Sequence, residues 1–146
     1  MADDSPVIDH LNIVVTDMAA SVAFYRRLGV TIPESDPPWS SHHVNAVMPG
    51  LDFDLDSVEF AREWDSGWPG SAGVVVGFRV ASRDDVDRLY ADVVAAGHRG
   101  RQPPYDAFWG ARYAVVEDPD GNGVGIMSPS DPGRRSMPQV PGHSAG

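Results

Sequence analysis

Two stretches of the chain pair a strand-like apolar run with a helical stripe directly after it. The first run, Ile8-Asp9-His10-Leu11-Asn12-Ile13-Val14-Val15, is rich in strand formers. Thr16-Asp17 then offers N-cap oxygens, and Met18, Val22, Tyr25 and Leu28 recur at helical spacing before Gly29. That pattern predicts a helix over 18–28 closed by a glycine. The second run is Val74-Val75-Val76-Gly77-Phe78-Arg79-Val80. Ser82 is its N-cap candidate, Val86, Leu89, Tyr90, Val93 and Val94 form the stripe of a helix over 85–96, and Gly97 is the stop. Aligning Val15 with Val80 places the two starts 65 residues apart.

Short strands follow each start. After the first they are expected at His43–Met48 and Leu51–Val58, turning at Pro49-Gly50. After the second, a weak strand is expected at Arg101-Gln102, then Arg112–Glu117 and Val124–Ser128. The turn Asp118-Pro119-Asp120-Gly121-Asn122-Gly123 between the last two carries the fixed and positive φ angles a tight reversal needs. The order predicts an α+β chain of two βαβββ modules, about 7–63 and 73–130, in one domain over 5–130. One such unit cannot cover its own apolar sheet face, so two are expected to pair. The stretch 64–73 is the linker between modules. The tail over 131–146, rich in Pro, Gly and Ser, is expected to be disordered.

Composition narrows the functional classes. The chain has no cysteine, which excludes disulfides, thiolate metal sites and thiol nucleophiles. The net charge is −10 and every basic residue is arginine. An acidic surface repels phosphate backbones, so nucleic acid is not an expected partner, whereas a neutral or cationic ligand is easily accommodated. No run approaches the roughly 20 apolar residues of a membrane span. The start, Met-Ala-Asp-Asp-Ser-Pro, lacks the basic and apolar regions of a signal peptide. A cytoplasmic location without membrane contact is expected.

The repeat, the phrase Phe24-Tyr25-Arg26-Arg27-Leu28-Gly29 and the phrase Asp118-Pro119-Asp120-Gly121-Asn122 together resemble the vicinal-oxygen-chelate superfamily. That superfamily holds glyoxalase I, extradiol dioxygenases, fosfomycin-resistance enzymes and bleomycin-resistance proteins. The resemblance runs over about 7–130 and implies a cupped mixed β-sheet with helices on its outside. Two segments, Phe108-Trp109-Gly110-Ala111-Arg112-Tyr113-Ala114-Val115-Val116 and Leu55-Asp56-Ser57-Val58-Glu59, are similar to the bleomycin-resistance and mitomycin-binding branch.

Metal-using members place His or Gln on the first strand of each module and Glu on the last strand of each. The matching positions here are His10, Asp54, Val75 and Gly125. Valine and glycine offer no donor, and two protein ligands hold a divalent ion far more weakly than three or four. Slipping by one residue brings Val74, Val76, Val124 or Ile126 to these positions, which changes nothing. No metal and no cofactor are expected. His42 and His43 are adjacent on a strand, point to opposite faces and are poorly placed to share one ion.

Strand alternation sorts the remaining candidates. Leu11, Ile13 and Val15 should face the helix, with His10, Asn12 and Val14 toward the cup. Phe78 and Val80 should face the helix of the second module, with Val75, Gly77 and Arg79 opposite. Leu51, Phe53 and Leu55 should pack, leaving Asp52, Asp54 and Asp56 to the cup or to solvent. The expected ligand-binding set is His10, Asn12, Asp54, Asp56, Arg79 and Met127, joined by the loop aromatics Trp39, Trp64, Phe108 and Trp109. Structural roles stand beside these: a satisfied histidine at a strand end for His10, an ion pair or subunit contact for Arg79, a solvated face for the aspartates, and a core plug or dimer seam for Trp109.

The reading favoured by this set is metal-independent sequestration of a planar aromatic or cationic small molecule, with no catalytic residue, by a homodimer. Antibiotic resistance is one use of such binding. The alternatives are a glyoxalase- or dioxygenase-like isomerase or lyase using a weak metal site or His10 as a base, and a regulatory or scaffold role with a vestigial cup.

Overall fold

The computed structural model describes residues 5–137, arranged in two compact units. One spans 10–74; the other spans 75–137 and takes in the start of the first strand, 5–9.

The first unit is built on β1 (Val7–Val15), α1 (Met18–Arg27), α2 (Trp39–His42), β2 (His43–Ala46), β3 (Asp52–Ser57) and α3 (Val58–Trp64). β3 lies between β1, to which it runs parallel, and β2, to which it runs antiparallel. The register sets Asn12 opposite Asp54 and Asn45, and Val14 opposite Asp56 and His43. Asp17 caps α1 by accepting from the backbone N–H of Ala20 at 3.0 Å. The helix closes on the sheet through Met18, Ile32, Val44, Phe53 and Leu55, with Leu11, Ile13, Val22 and Tyr25 against them. Each fully buried apolar side chain of this kind contributes about 1.5–3 kcal/mol.

The second unit repeats the plan with β4 (Gly73–Arg79), α4 (Arg83–Ala95), β5 (Gly100–Asp106), β6 (Arg112–Glu117) and β7 (Gly123–Met127). β4 runs parallel to β7, and β7-β6-β5 continue antiparallel. Ser82 caps α4 through the N–H of Asp85, and the helix covers Val80, Val86, Ala114, Val116 and Ile126. At the β6–β7 turn, Asp118 Oδ1 accepts from the backbone N–H groups of Asp120 and Asn122, and its Oδ2 accepts from Asn122 Nδ2, all at 2.8–2.9 Å. The expected α+β architecture with mixed parallel and antiparallel pairing is observed in each unit.

Four expectations need correction. The stretch from Val58, expected to end a strand, to Trp64, expected to open the linker, is a helix for which no element was expected. Ser57 caps α3 through the N–H of Phe60, and Phe60, Ala61 and Trp64 are buried on it. A second short helix, α2, precedes β2 where loop was expected. The weak strand at Arg101-Gln102 is a seven-residue strand whose irregular register accommodates Pro103 and Pro104; its counterpart in the first unit is only a bridge between Thr31 and Val47. The first part of the tail is ordered: Asp131 N–H donates to Gly110 O at 3.0 Å, Ser136 N–H to Phe108 O at 2.9 Å, and Pro132–Arg134 form a 3-10 turn. Residues 138–146 of the expected disordered tail lie outside the described residues.

Candidate ligand-binding site

With Leu11, Ile13, Val15, Val44, Phe53 and Leu55 committed to the α1 core, alternation sends their neighbours to the other face of the sheet. That face carries His10, Asn12, His43, Asn45, Asp52, Asp54 and Asp56. It is held together by hydrogen bonds. Asn12 Nδ2 donates to Asp56 Oδ2 at 2.8 Å, His43 Nδ1 pairs with Asp56 Oδ1, and Asn45 Nδ2 donates to Asp54 Oδ1. Asp56 is fully buried and His10 is 5% exposed.

This face is richer in carboxylate than in compensating positive charge. Burial pushes the Asp54 carboxyl up to about 6, and the carboxylates of Asp56 and Asp52 push the same way against His43 and the Asn45 amide. Burial acts to lower the pKa of His43, but the Asp56 hydrogen bond and the charges of Asp56 and Asp54 outweigh it and raise the pKa. His43 is therefore the natural counter-ion of Asp56, while the hydrogen-bond donor to Asp54 among the described residues is the neutral Asn45 amide.

Aromatic rings border this face. The Trp39 and Phe60 ring centroids lie 5.8 Å apart, and those of His43 lie 6.2 Å from Trp39 and 5.2 Å from Phe60. Trp39 is half-buried. Trp64, expected at the rim, is instead 4% exposed and packs against Trp68, its centroid 6.0 Å away.

In the second unit the corresponding face is filled from within, by apolar side chains and by the buried Arg101, whose guanidinium lies beside Gly123 near Val75. Tyr113 and Val115 of β6 are buried there, and Trp109 Nε1 donates to Met127 Sδ at 3.2 Å. The Trp109 ring also stacks edge-on to Tyr113, Tyr105 and Phe108 at centroid distances of 5.1–6.5 Å. Arg79 reaches Asp9 at 3.8 Å. The expected set thus divides: His10, Asn12, Trp39, Asp54 and Asp56 in the first unit, and Arg79, Phe108, Trp109 and Met127 in the second. Sequence reasoning missed His43 and Asn45. Their signal was the alternation His43-Val44-Asn45-Ala46, which sends the polar pair to the face of Asp54 and Asp56.

The four positions that hold metal in metal-using relatives do not fit an ion here. Val75 is fully buried and has no donor. A Cβ at Gly125 would meet the Tyr113 hydroxyl at 2.8 Å, so a longer side chain has no room unless that ring moves. The registers confirm the equivalence of the modules, since Asn12 lies opposite Asp54 as Gly77 lies opposite Gly125. Among the described residues no group of three or more His, Asp or Glu is placed to hold a metal ion.

This architecture and its sequence place the chain in a family. The model of the Glyoxalase/Bleomycin resistance protein/Dioxygenase superfamily matches residues 7–126, and the chain belongs to that superfamily. Among solved structures it is similar to the NAD-dependent benzaldehyde dehydrogenase from Legionella pneumophila, at 26% identity and TM-score 0.58, covering 82% of this chain and 96% of that one. A glyoxalase/bleomycin resistance protein/dioxygenase superfamily member from Vibrio splendidus 12B01 matches at 18% identity and TM-score 0.56, over 86% of this chain and 100% of that one. The Mn(II)-bound glyoxalase from Novosphingobium aromaticivorans matches at 22% identity and TM-score 0.58, over 83% of this chain but 38% of that longer one. The last two likenesses establish the fold alone. No curated protein matches the chain. Among the described residues no helix is long and apolar enough to cross a membrane.

Proposed function

We propose that this chain binds, without a metal ion, a planar organic cation on the acidic face of its first unit, and that it does so as the bleomycin-resistance and mitomycin-binding branch does, by sequestration. The observation that carries this reading is the surplus of carboxylate on a partly buried face bordered by aromatic rings. Asp56 is hydrogen-bonded by His43 and Asn12, whereas Asp54 is bonded by the neutral Asn45 amide and shares the charge of His43 with Asp56, so a cation from outside relieves the remaining surplus of carboxylate. Trp39, beside His43, supplies a ring on which a flat molecule stacks, with cation–π attraction of about 0.5–2 kcal/mol. The metal positions point the same way, since the Gly125 site is closed by Tyr113. The expected working form is a cytoplasmic homodimer, and antibiotic self-protection is a use that fits such binding.

A second reading rests on a different observation. His43 is oriented through Nδ1 by a buried aspartate that Asn12 also holds. That arrangement leaves Nε2 as a base for an isomerase or lyase reaction on the bound molecule.

One titration tests both. Tryptophan fluorescence is followed as planar antibiotics and aromatic cations are added, with and without EDTA, and each compound is then recovered. Saturable quenching that EDTA leaves unchanged, lost in Trp39→Leu and Asp54→Asn, and return of the compound intact support sequestration. A compound returned chemically altered, with the change abolished in His43→Gln, supports the enzyme. Quenching that EDTA abolishes overturns the metal-free reading.

A further inference from the structure

A concavity lies in the first unit, where its two parallel strands end. β1 and β3 finish side by side at Val15 and Ser57, and the chain leaves each for a helix. Departing chains open a crevice at the carboxyl ends of parallel strands, a recurrent place for ligands. The crevice here encloses about 400 Å³, and its lining includes Thr16, Ser41, Ser57, Glu59, Arg62 and Gly70. The volume suits a small organic molecule.

Its chemistry differs from that of the acidic face. Arg62 projects from α3 and its guanidinium rests against the backbone at Gly70, where a Cβ would meet Nη2 at 3.1 Å. Arg26, Arg79, Arg83, Arg88, Arg99, Arg112 and Arg134 each approach a carboxylate, and Arg62 enters none of these ion pairs. Ser57 Oγ accepts from the Phe60 N–H at 3.1 Å and lies 3.2 Å from His42 Nδ1, so its position on the wall is fixed. Ser41 is held by donating to Pro38 O at 3.1 Å. Glu59, exposed on the same lining, is the acidic group facing Arg62 from their shared helix.

We propose that this crevice is a separate binding site for a small organic oxyanion, a carboxylate or a phosphate, received by the Arg62 guanidinium and the hydroxyls of Thr16 and Ser57. A guanidinium presents paired N–H donors in a planar fork that matches two oxygens of either group, and such charge-assisted bonds are roughly twice as strong as neutral ones. Glu59 works against the anion and sets the site to modest affinity.

The test is an amide-resolved NMR titration of the whole chain with sodium phosphate, sodium acetate and, at matched ionic strength, sodium chloride. The expected result is saturable movement of the Thr16, Ser57 and Glu59 amides with phosphate or acetate and not with chloride. Response to phosphate alone assigns a phosphate ligand, and response to acetate alone assigns a carboxylate. Arg62→Gln should weaken binding about tenfold or more, Thr16→Val a few-fold, and Glu59→Gln should tighten it several-fold. Each variant's spectrum also reports whether it remains folded. Asp54→Asn, on the other face of the sheet, should leave the anion affinity unchanged, which separates this site from cation sequestration. Movement that chloride reproduces, no saturation with either oxyanion, or affinity indifferent to Arg62→Gln overturns the proposal.

Discussion

Asp54 answers to two opposing demands. Its folded pKa of about 6 stands above the ordinary carboxylate value of 3.8, because burial and two neighbouring carboxylates disfavour its charge. A raised folded pKa means that its stabilising contribution is present below about 4 and is lost as the pH rises through 6. Ionised Asp54 therefore costs stability at neutral pH, on the order of 2–3 kcal/mol from the size of the shift. Asp54→Asn should raise the midpoint of urea denaturation at pH 8 and change it little at pH 4. Cation binding runs the other way. Affinity for an aromatic cation should fall as the pH drops through 6 and should be largely lost in Asp54→Asn at every pH, which calorimetry in a series of buffers will read. The residue that weakens the fold is the one that the proposed ligand needs. His43, with its pKa raised by Asp56, adds stability below about 6.5 that is lost as the pH rises through its own higher value.

Elements were legible in proportion to how local their signals were. The two strand–helix starts could be read from an apolar run, a capping side chain and a terminal glycine, all within one segment. The faces of β1 and β3 could be read because strict alternation leaves no other assignment for Leu11, Ile13, Phe53 and Leu55. What escaped depended on partners far along the chain. α3 went unread because Ser57 both ends a strand and caps a helix, and Val58 reads as strand continuation. His43 belongs to the acidic face only once β2 pairs with β3, a register that sequence does not state. The return of the tail likewise rests on backbone bonds to Phe108 and Gly110, with no side-chain pattern to announce it. That return is testable at Gly110. The residue has φ +94°, and a Cβ there would meet the Asp131 carbonyl oxygen at 2.2 Å. Gly110→Ala should cost about 2 kcal/mol or more in chemical denaturation and raise hydrogen exchange at the Asp131 and Ser136 amides.

At the scale of the whole molecule, the net charge of −10 sets how the chain meets its surroundings. An acidic protein attracts a cationic ligand over a distance comparable to the Debye length, about 10 Å at 0.1 M salt. The association rate for such a ligand should fall steeply between low salt and 0.5 M, with a smaller change in dissociation rate, in stopped-flow fluorescence. The two units follow one strand plan but have specialised differently, one face rich in carboxylates and the other packed with its own rings and a buried arginine. The turn that closes the second unit also bears on how long the molecule lasts. Asn122-Gly123 is a pair prone to spontaneous deamidation, because glycine lets the following backbone nitrogen reach the asparagine carbonyl and expel ammonia. Asp118 grips both the side-chain amide and the backbone N–H of Asn122, and those bonds hold its carboxylate below the ordinary range, so the grip persists well into acid. The native protein should keep a single charge form through weeks of storage at neutral pH. Asp118→Ala should accumulate a more acidic species in isoelectric focusing, its ageing set free by the loss of one carboxylate.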